Sequence, residues 1–391
     1  MKLKDLIESN NTGLDAIKRA PIVEYDTGIR CLRIGDISNN RPFNDWGYTE
    51  VEDNNYKKFQ LKKDDIIVAR TGATIGVNKY IDKDYKSVYN NGLIRIRVKE
   101  ENNPKYVYYL LQSNNYRNFI KTISMGTSTQ PNMQMNDLLN LEVPEFDRDK
   151  QDKIVQLLGN IDKKIELNNE INNNLYEMSL SIFNDFLNNN DAELIKLEDC
   201  VEKINTGADA IQRAPIVDYD TGVRCIRIGD MTNSRDYHNW GFTKMNDKDY
   251  DNYKLIKNDI VITRTAVNGL TYIITDEERV VCNNGNIRLR VNNKYNPLYI
   301  YLNTKTKDFR NYIDRINGET SVRPNMKVEY FTSYEIKKYS LEEQNKICNV
   351  IKPLFNKINE NKKENYNLEQ LRDTLLPKLM NGEIDLNNIE L

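Results

Sequence analysis

Two different hydrophobic patterns alternate along the chain. Short runs rich in Ile, Val, Tyr and Arg, such as Arg30–Ile34, Asp65–Ala69 and Gly92–Val98, are bounded by Gly, Asn and Asp turn signals and read as strands. Asn103-Pro104 and Asn296-Pro297 each open a stretch, Tyr106–Leu111 and Leu298–Leu302, that starts as a helix with Pro in its first turn. From Gln151 to Phe186 the period changes. Apolar residues fall at 154, 158, 161, 165, 175, 182 and 186, and a second such stretch gives Ile347, Ile351, Leu354, Ile358, Leu368, Leu375 and Leu379. Steps of three and four, with polar gaps between, make this an a/d seam between long helices.

Asn168 and Asn172 in the first seam and Asn361 and Asn365 in the second sit at its centre. Two readings stay open: buried Asn that fix register and partner number, or Asn that face water. Gly159-Asn160 and Lys352-Pro353 fall at matching places, and proline removes a helical hydrogen bond, so both helices are expected to break or kink there. Beyond that point about 27 residues would extend roughly 40 Å at the helical rise. Two helices of matched length in one chain would pair antiparallel, with the globular halves at opposite ends about a pseudo-twofold axis.

The matching places reflect a duplication. Thr12–Gly28 recurs almost unchanged as Thr206–Gly222, an offset of 194, since 206 − 12 = 194. Arg30–Asp36 matches Arg224–Asp230 and Trp46-Gly47 matches Trp240-Gly241. After one deletion the offset is 193: Asn90-Asn-Gly92 pairs with Asn283-Asn-Gly285, and Pro131-Asn-Met133 with Pro324-Asn-Met326. The period is far above that of solenoid repeats, so a whole domain is duplicated. The expected organisation is α+β: globular residues 1–147, helical 148–190, globular 191–340 and helical 341–391.

Composition narrows the function. With 391 residues, 29% charged and 39% hydrophobic, the chain can bury two cores. It has no apolar run long enough to span a membrane, and Met1–Asp5 lacks the apolar region of a secretory signal, so a cytoplasmic protein is expected. Five cysteines without a C-x-x-C pair argue against a disulfide framework or zinc ribbon, and Cys31 and Cys225 read as core residues. A single histidine, His238, whose counterpart is Asn44, argues against a catalytic triad or His-rich metal site in each half. A net charge of −2 requires any nucleic-acid-binding face to be local.

The motifs point to binding. Asn296-Pro-Leu-Tyr299 looks like an adenine-methyltransferase loop, but its twin Asn103-Pro-Lys-Tyr106 shows an arbitrary third residue, and helix start is favoured. No Walker A sequence is present. Arg70-Thr-Gly-Ala-Thr-Ile-Gly76 follows a strand and could bring N–H groups to a phosphate. Gly126-Thr-Ser-Thr-Gln-Pro-Asn-Met133 and Glu319-Thr-Ser-Val-Arg-Pro-Asn-Met326 put hydroxyls where phosphate could bind and a planar side chain where a base edge could be read. The candidate DNA contacts are therefore Arg19, Arg33, Arg70, Thr71, Gly72, Thr74, Thr127, Ser128, Gln130 and Asn132, then Arg213, Arg227, Arg264, Thr265, Asn268, Thr320, Ser321, Arg323 and Asn325.

The order of these parts resembles the specificity subunit of type I restriction–modification systems, over essentially the whole chain. The resemblance rests on the duplicated plan and on Asp149-Lys-Gln-Asp-Lys-Ile154, mirrored by Glu342-Glu-Gln-Asn-Lys-Ile347. The closing Leu371–Ile384, the glycine-rich loop and the Thr-Ser-x-x-Pro-Asn loops add to it. In that family the two recognition domains are usually unlike, whereas these are close copies. The resemblance implies a non-catalytic reader of double-stranded DNA without a cofactor of its own. Each target-recognition domain would grip half of a bipartite target while paired helices, an antiparallel coiled coil, set the gap. Two methyltransferase subunits carrying S-adenosylmethionine would dock on the helices, and restriction subunits that use ATP are left open. Near-identical copies imply near-inverted-repeat half-sites, and Gln130 opposite Arg323 implies an adenine-versus-guanine difference between them. Three rivals remain: a type IIB specificity subunit, a methyltransferase in its own right, and a scaffold that reads no DNA.

Overall fold

The computed structural model describes residues 1–125, 132–275, 279–319 and 325–386. It resolves into two compact units, Met1–Lys164 with Leu368–Leu391, and Ile165–Asn367.

In the first unit, strands Ile7–Thr12, Leu93–Val98, Ile66–Ala69 and Asn78–Tyr80 form an antiparallel sheet in that order. A second sheet orders Ile22–Val23, Tyr48–Thr49, Arg30–Leu32 and Ser87–Tyr89, with the last two parallel. The apolar run at 66–69 is continuous because the strand is covered on both faces. Ile66 and Val68 join the helices' side of the core, with Tyr106, Val107 and Leu110. Ile67 and Ala69 face the other core, with Cys31, Leu32, Trp46 and Tyr89. The helix Pro104–Leu110 starts at Asn103, whose side chain accepts hydrogen bonds from the N–H groups of Lys105 and Tyr106.

The second unit repeats the plan. Val201–Thr206, Asn286–Val291, Ile260–Thr263 and Thr271–Ile273 form one sheet. Ile216–Val217, Phe242–Thr243, Arg224–Ile226, Val280–Cys282 and Lys254–Leu255 form the other. Strands Ile7–Thr12 and Val201–Thr206 carry the same bulge, between Ile7 and Ser9 and between Val201 and Lys203. The fold class is α+β, as expected.

The long helices are Arg148–Asn189 and Leu341–Met380. Neither is interrupted, which corrects the expected breaks at Gly159 and Pro353. Proline forfeits one hydrogen bond, and packing of Ile351 and Ile358 on either side of Pro353 holds the helix together. Gly159 lies against Lys105 and Tyr109 within the continuous helix. In the first unit, Ile154 and Leu158 share a core with Leu376, Leu379 and Met380. In the second, the buried Asn reading holds. Asn168 donates to Asn365 (2.8 Å) and Glu364 (2.8 Å), Asn361 to Asn172 (2.9 Å), and Asn365 to Asn169 (2.9 Å). Residue numbers rise along one helix as they fall along the other, so the segments pair antiparallel in this unit. No helix among the described residues is long and apolar enough to cross a membrane.

Candidate nucleic-acid interface

The glycine-rich loop begins where the central strand Ile66–Ala69 leaves its sheet. Arg70 N–H donates to Gly92 O (2.9 Å), and Gly76 N–H closes the loop on Ala69 O (2.8 Å). Gly72 and Gly76 have φ of +83° and +86°, a region closed to most side chains. A Cβ on Gly76 would also lie 2.7 Å from Ile120, so that position is doubly fixed. The second loop is anchored on this one: Met133 N–H donates to Arg70 O (2.8 Å), and Thr71 and Asn132 form an antiparallel bridge. The Arg70 guanidinium completes the link by donating to Asn132 Oδ1 (3.2 Å).

The second unit builds the same junction with one residue fewer. Arg70–Gly76 spans seven residues (76 − 70 + 1), and Arg264–Gly269 six (269 − 264 + 1). Met326 N–H donates to Arg264 O (2.8 Å), and Thr265 bridges Asn325. Here Arg264 uses Nε on Met326 O (3.1 Å). Asn268 donates to Asn317 (2.8 Å). Ala266 takes the position of Gly72 and keeps a positive φ, +60°.

The structure therefore brings together Arg70, Thr71, Gly72, Thr74 and Asn132 in one unit, and Arg264, Thr265, Asn268 and Asn325 in the other. Thr127, Ser128 and Gln130, like Thr320, Ser321 and Arg323, lie outside the described residues. Arg33 and Arg227 have internal partners. Arg33 donates to Ala20 O (3.0 Å), while Arg227 donates to Ala214 O (3.3 Å) and Cys225 O (3.1 Å). They staple a surface loop to the neighbouring strand. Arg19 is exposed, and Arg213 is exposed with its guanidinium bonded to the Tyr253 hydroxyl.

Sequence reasoning missed two devices that fasten the frame carrying these loops. Arg97 grips Asp65 through two bonds (2.7 and 3.3 Å), as Arg290 grips Asp259 (2.7 and 2.7 Å). Both carboxylates are buried at the start of the loop-bearing strand, and the bond to Asp65 raises the Arg97 pKa. The alternating Arg-x-Arg of Arg95–Arg97 and Arg288–Arg290 was the available signal. Second, buried Gln151 accepts from Asn103 N–H (2.8 Å) and donates to Asn102 (2.9 Å) and Phe146 O (2.9 Å). Gln344 accepts from Asn296 N–H (2.8 Å) and donates to Tyr339 O (2.9 Å). The repeated Gln thus clamps each long helix to its globular part, and the Asn-Pro segments are helix starts.

Neither of the cysteines shared by the two copies is set up for nucleophilic chemistry. Burial pushes the Cys31 thiol up to about 11 and Cys225 to about 12, away from the thiolate that reactivity requires. Among the described residues no cluster of His, Cys, Asp or Glu could hold a metal ion. What remains is a pair of rigid polar loop junctions at the ends of central strands, repeated once in each unit. That is one module built twice.

Comparison with known proteins gives the module its family. The type I restriction modification DNA specificity domain matches residues 1–177 and again 189–370, and the chain belongs to that family. It is a specificity subunit, the non-catalytic recognition component of a type I system. The MjaIX specificity subunit of Methanocaldococcus jannaschii is 26% identical over 340 residues, covering 77% of this chain and 73% of that protein. The HindI specificity subunit of Haemophilus influenzae is 26% identical over 161 residues, 39% of this chain and 34% of that one. The S subunit of M. genitalium shares the fold with a TM-score of 0.55 at 18% identity, over 97% of this chain and 95% of that one.

Proposed function

We propose that each unit reads one half of a bipartite double-stranded DNA target, and that the subunit positions two adenine methyltransferase subunits, with restriction subunits as further partners, in the cytoplasm. The observation that carries this reading is the loop junction built twice, Arg70 on Asn132 and Arg264 on Met326. Its backbone N–H groups, hydroxyls and guanidinium match the donors that fix a protein on phosphate, and the adjoining loops supply base-reading side chains. Gln130 in one copy and Arg323 in the other favour adenine and guanine respectively. Arg70, Thr71, Gly72, Thr74 and Asn132 serve one half-site in this reading; Arg264, Thr265, Asn268 and Asn325 serve the other.

The test is DNA binding by the assembled methyltransferase as a function of salt. Arg70→Ala and Arg264→Ala should each weaken binding and lower the salt slope by about 1 if the lost contact is to phosphate. Affinity and slope unchanged in both variants would refute the assignment.

A further inference from the structure

The two most exposed large apolar side chains among the described residues stand at equivalent positions, Ile17 at 82% and Ile211 at 84%. Their segments, Thr12–Gly28 and Thr206–Gly222, differ at three of 17 positions, and the adjoining Arg30–Asp36 and Arg224–Asp230 at one of seven. Internal contacts account for the second likeness. Cys31, Leu32 and Asp36 are buried, as are their twins. The Arg30 and Arg224 guanidinium groups lie over Tyr48 (4.0 Å) and Phe242 (4.2 Å), and Arg33 and Arg227 bond to backbone carbonyls. Burial accounts for neither isoleucine.

Both isoleucines are held on rigid turns. Asp15 O accepts from the N–H groups of Arg19 (3.1 Å) and Ala20 (2.9 Å), and Asp15 Oδ1 from those of Ile17 (3.0 Å) and Lys18 (2.7 Å). Asp209 repeats all four bonds with Arg213, Ala214, Ile211 and Gln212. The far end of each turn is fastened where Arg33 reaches Ala20 O and Arg227 reaches Ala214 O.

The strand register puts these turns beside the loop junction. Thr12 pairs with Ile94 and Ala69 with Leu93, so strands Ile7–Thr12 and Ile66–Ala69 both end where Leu93–Val98 begins. The turn at Asp15 and the loop at Arg70 leave that same end, joined by Asn91-Gly92. Asn91 N–H donates to Leu14 O (2.7 Å), and Arg70 N–H to Gly92 O (2.9 Å). In the second unit Asn284 N–H donates to Ala208 O (2.7 Å), and Arg264 N–H to Gly285 O (2.9 Å). Charge does not oppose DNA here. Asp15, Asp26 and Asp36 each accept from a backbone N–H, as do Asp209, Asp220 and Asp230. Together with Glu24 the first three are balanced by Lys18, Arg19, Arg30 and Arg33; the second copy sets Asp218 and its three aspartates against Arg213, Arg224 and Arg227. The charged residues next to the isoleucines are basic: Lys18 and Arg19 in one copy, Arg213 in the other.

We infer that Ile17 and Ile211 are specificity-determining residues, each contacting the C5-methyl group of a thymine, the apolar feature that a base pair presents in the major groove. The inference rests on the function proposed above, which supplies DNA as the occupant; the shared turn supplies the residue and the base it reads. Because the turn is alike in the two copies, the thymine should stand at the same place in both half-sites, whereas Gln130 and Arg323 tell the halves apart.

The test is binding of the assembled methyltransferase to duplexes carrying its target, with deoxyuridine replacing each thymine in turn. That change removes one methyl group and leaves base pairing intact. Wild type should lose about fourfold in affinity, the worth of one buried methyl group, at one equivalent position in each half-site. Ile17→Ala should lose at least as much on the unmodified duplex and stop responding to deoxyuridine in one half, while the other half still responds; Ile211→Ala should do the reverse. Both residues are exposed, so folding is not at stake. Wild type indifferent to deoxyuridine in either half, or alanine variants that still respond in both halves, would overturn the inference and leave the proposed function standing. Unchanged affinity and salt slope in Arg70→Ala and Arg264→Ala would instead remove the interface on which the inference rests.

Discussion

The two units solve one packing problem in opposite ways. Where a globular part meets the paired helix segments, the first unit uses polarity: Tyr109 donates to Asp162 (2.6 Å), and Arg372 donates to the same carboxylate (3.0 Å). At the positions equivalent by the 193-residue offset, the second unit has Leu302, Phe355 and Ser179. Phe355 there makes edge contacts with Tyr176 and Tyr301, at centroid distances of 6.4 and 6.0 Å. A polar triad and an aromatic cluster support the same backbone. The frame therefore tolerates either chemistry provided every polar group is satisfied. The fastenings are free to drift.

Breaking each fastening should therefore cost similarly. Phe355→Ala should destabilise by about 2–3 kcal/mol through lost packing. Asp162→Ala should cost about 2 kcal/mol, less than a fully buried pair because both charges are partly exposed. Transplanting the second unit's solution, Tyr109→Leu with Asp162→Phe, Arg372→Ser and Glu369→Tyr (the counterpart of Tyr176), should restore stability to within about 1 kcal/mol of wild type. Denaturant melts compare the three. A transplant no better than Asp162→Ala would show that the units are not interchangeable.

A second contrast titrates. Gln112 in the first unit donates to Asn78, and its counterpart Lys305 donates to Thr271 O (2.6 Å). Burial first, then the positive charges of Arg310 and Lys362, pull Lys305 down to about 7. Between pH 7 and 10 the unfolded chain then holds a proton that the folded chain has released, so stability should rise with pH across this window. Below pH 7 the cost of the buried charge is fully present. Lys305→Gln should flatten that slope, and thermal melts against pH would show it. An unchanged slope would place the titration elsewhere.

The smallest effect lies in the loops. Ala266 holds a positive φ where the first unit has glycine. Ala266→Gly should be neutral to stabilising by up to about 1 kcal/mol, and Gly72→Ala destabilising by about the same amount, in paired thermal melts. Opposite signs support the equivalence of the two loops; equal signs contradict it.

Strands, the helical seam and the duplication were legible because burial imposes a period and the second copy confirms it. The central Asn residues were legible only as alternatives, since bonding to a partner Asn depends on which segments meet. Pro353 misled because local propensity is weak against packing on both flanks. The internal bonds of Arg33 and Arg227 were not legible, because backbone carbonyl acceptors leave no mark in a sequence. For the same reason the Gln151 and Gln344 clamps were visible only as a repeated motif without a purpose.

The central claim is that two near-identical readers act on two half-sites. Mapping methylated adenines by single-molecule sequencing of host DNA tests it most directly, with wild type and Arg323→Gln compared. The account predicts a bipartite, near-inverted-repeat motif in wild type and a change confined to one half in the variant. A single contiguous motif, or two unrelated halves in wild type, would contradict it.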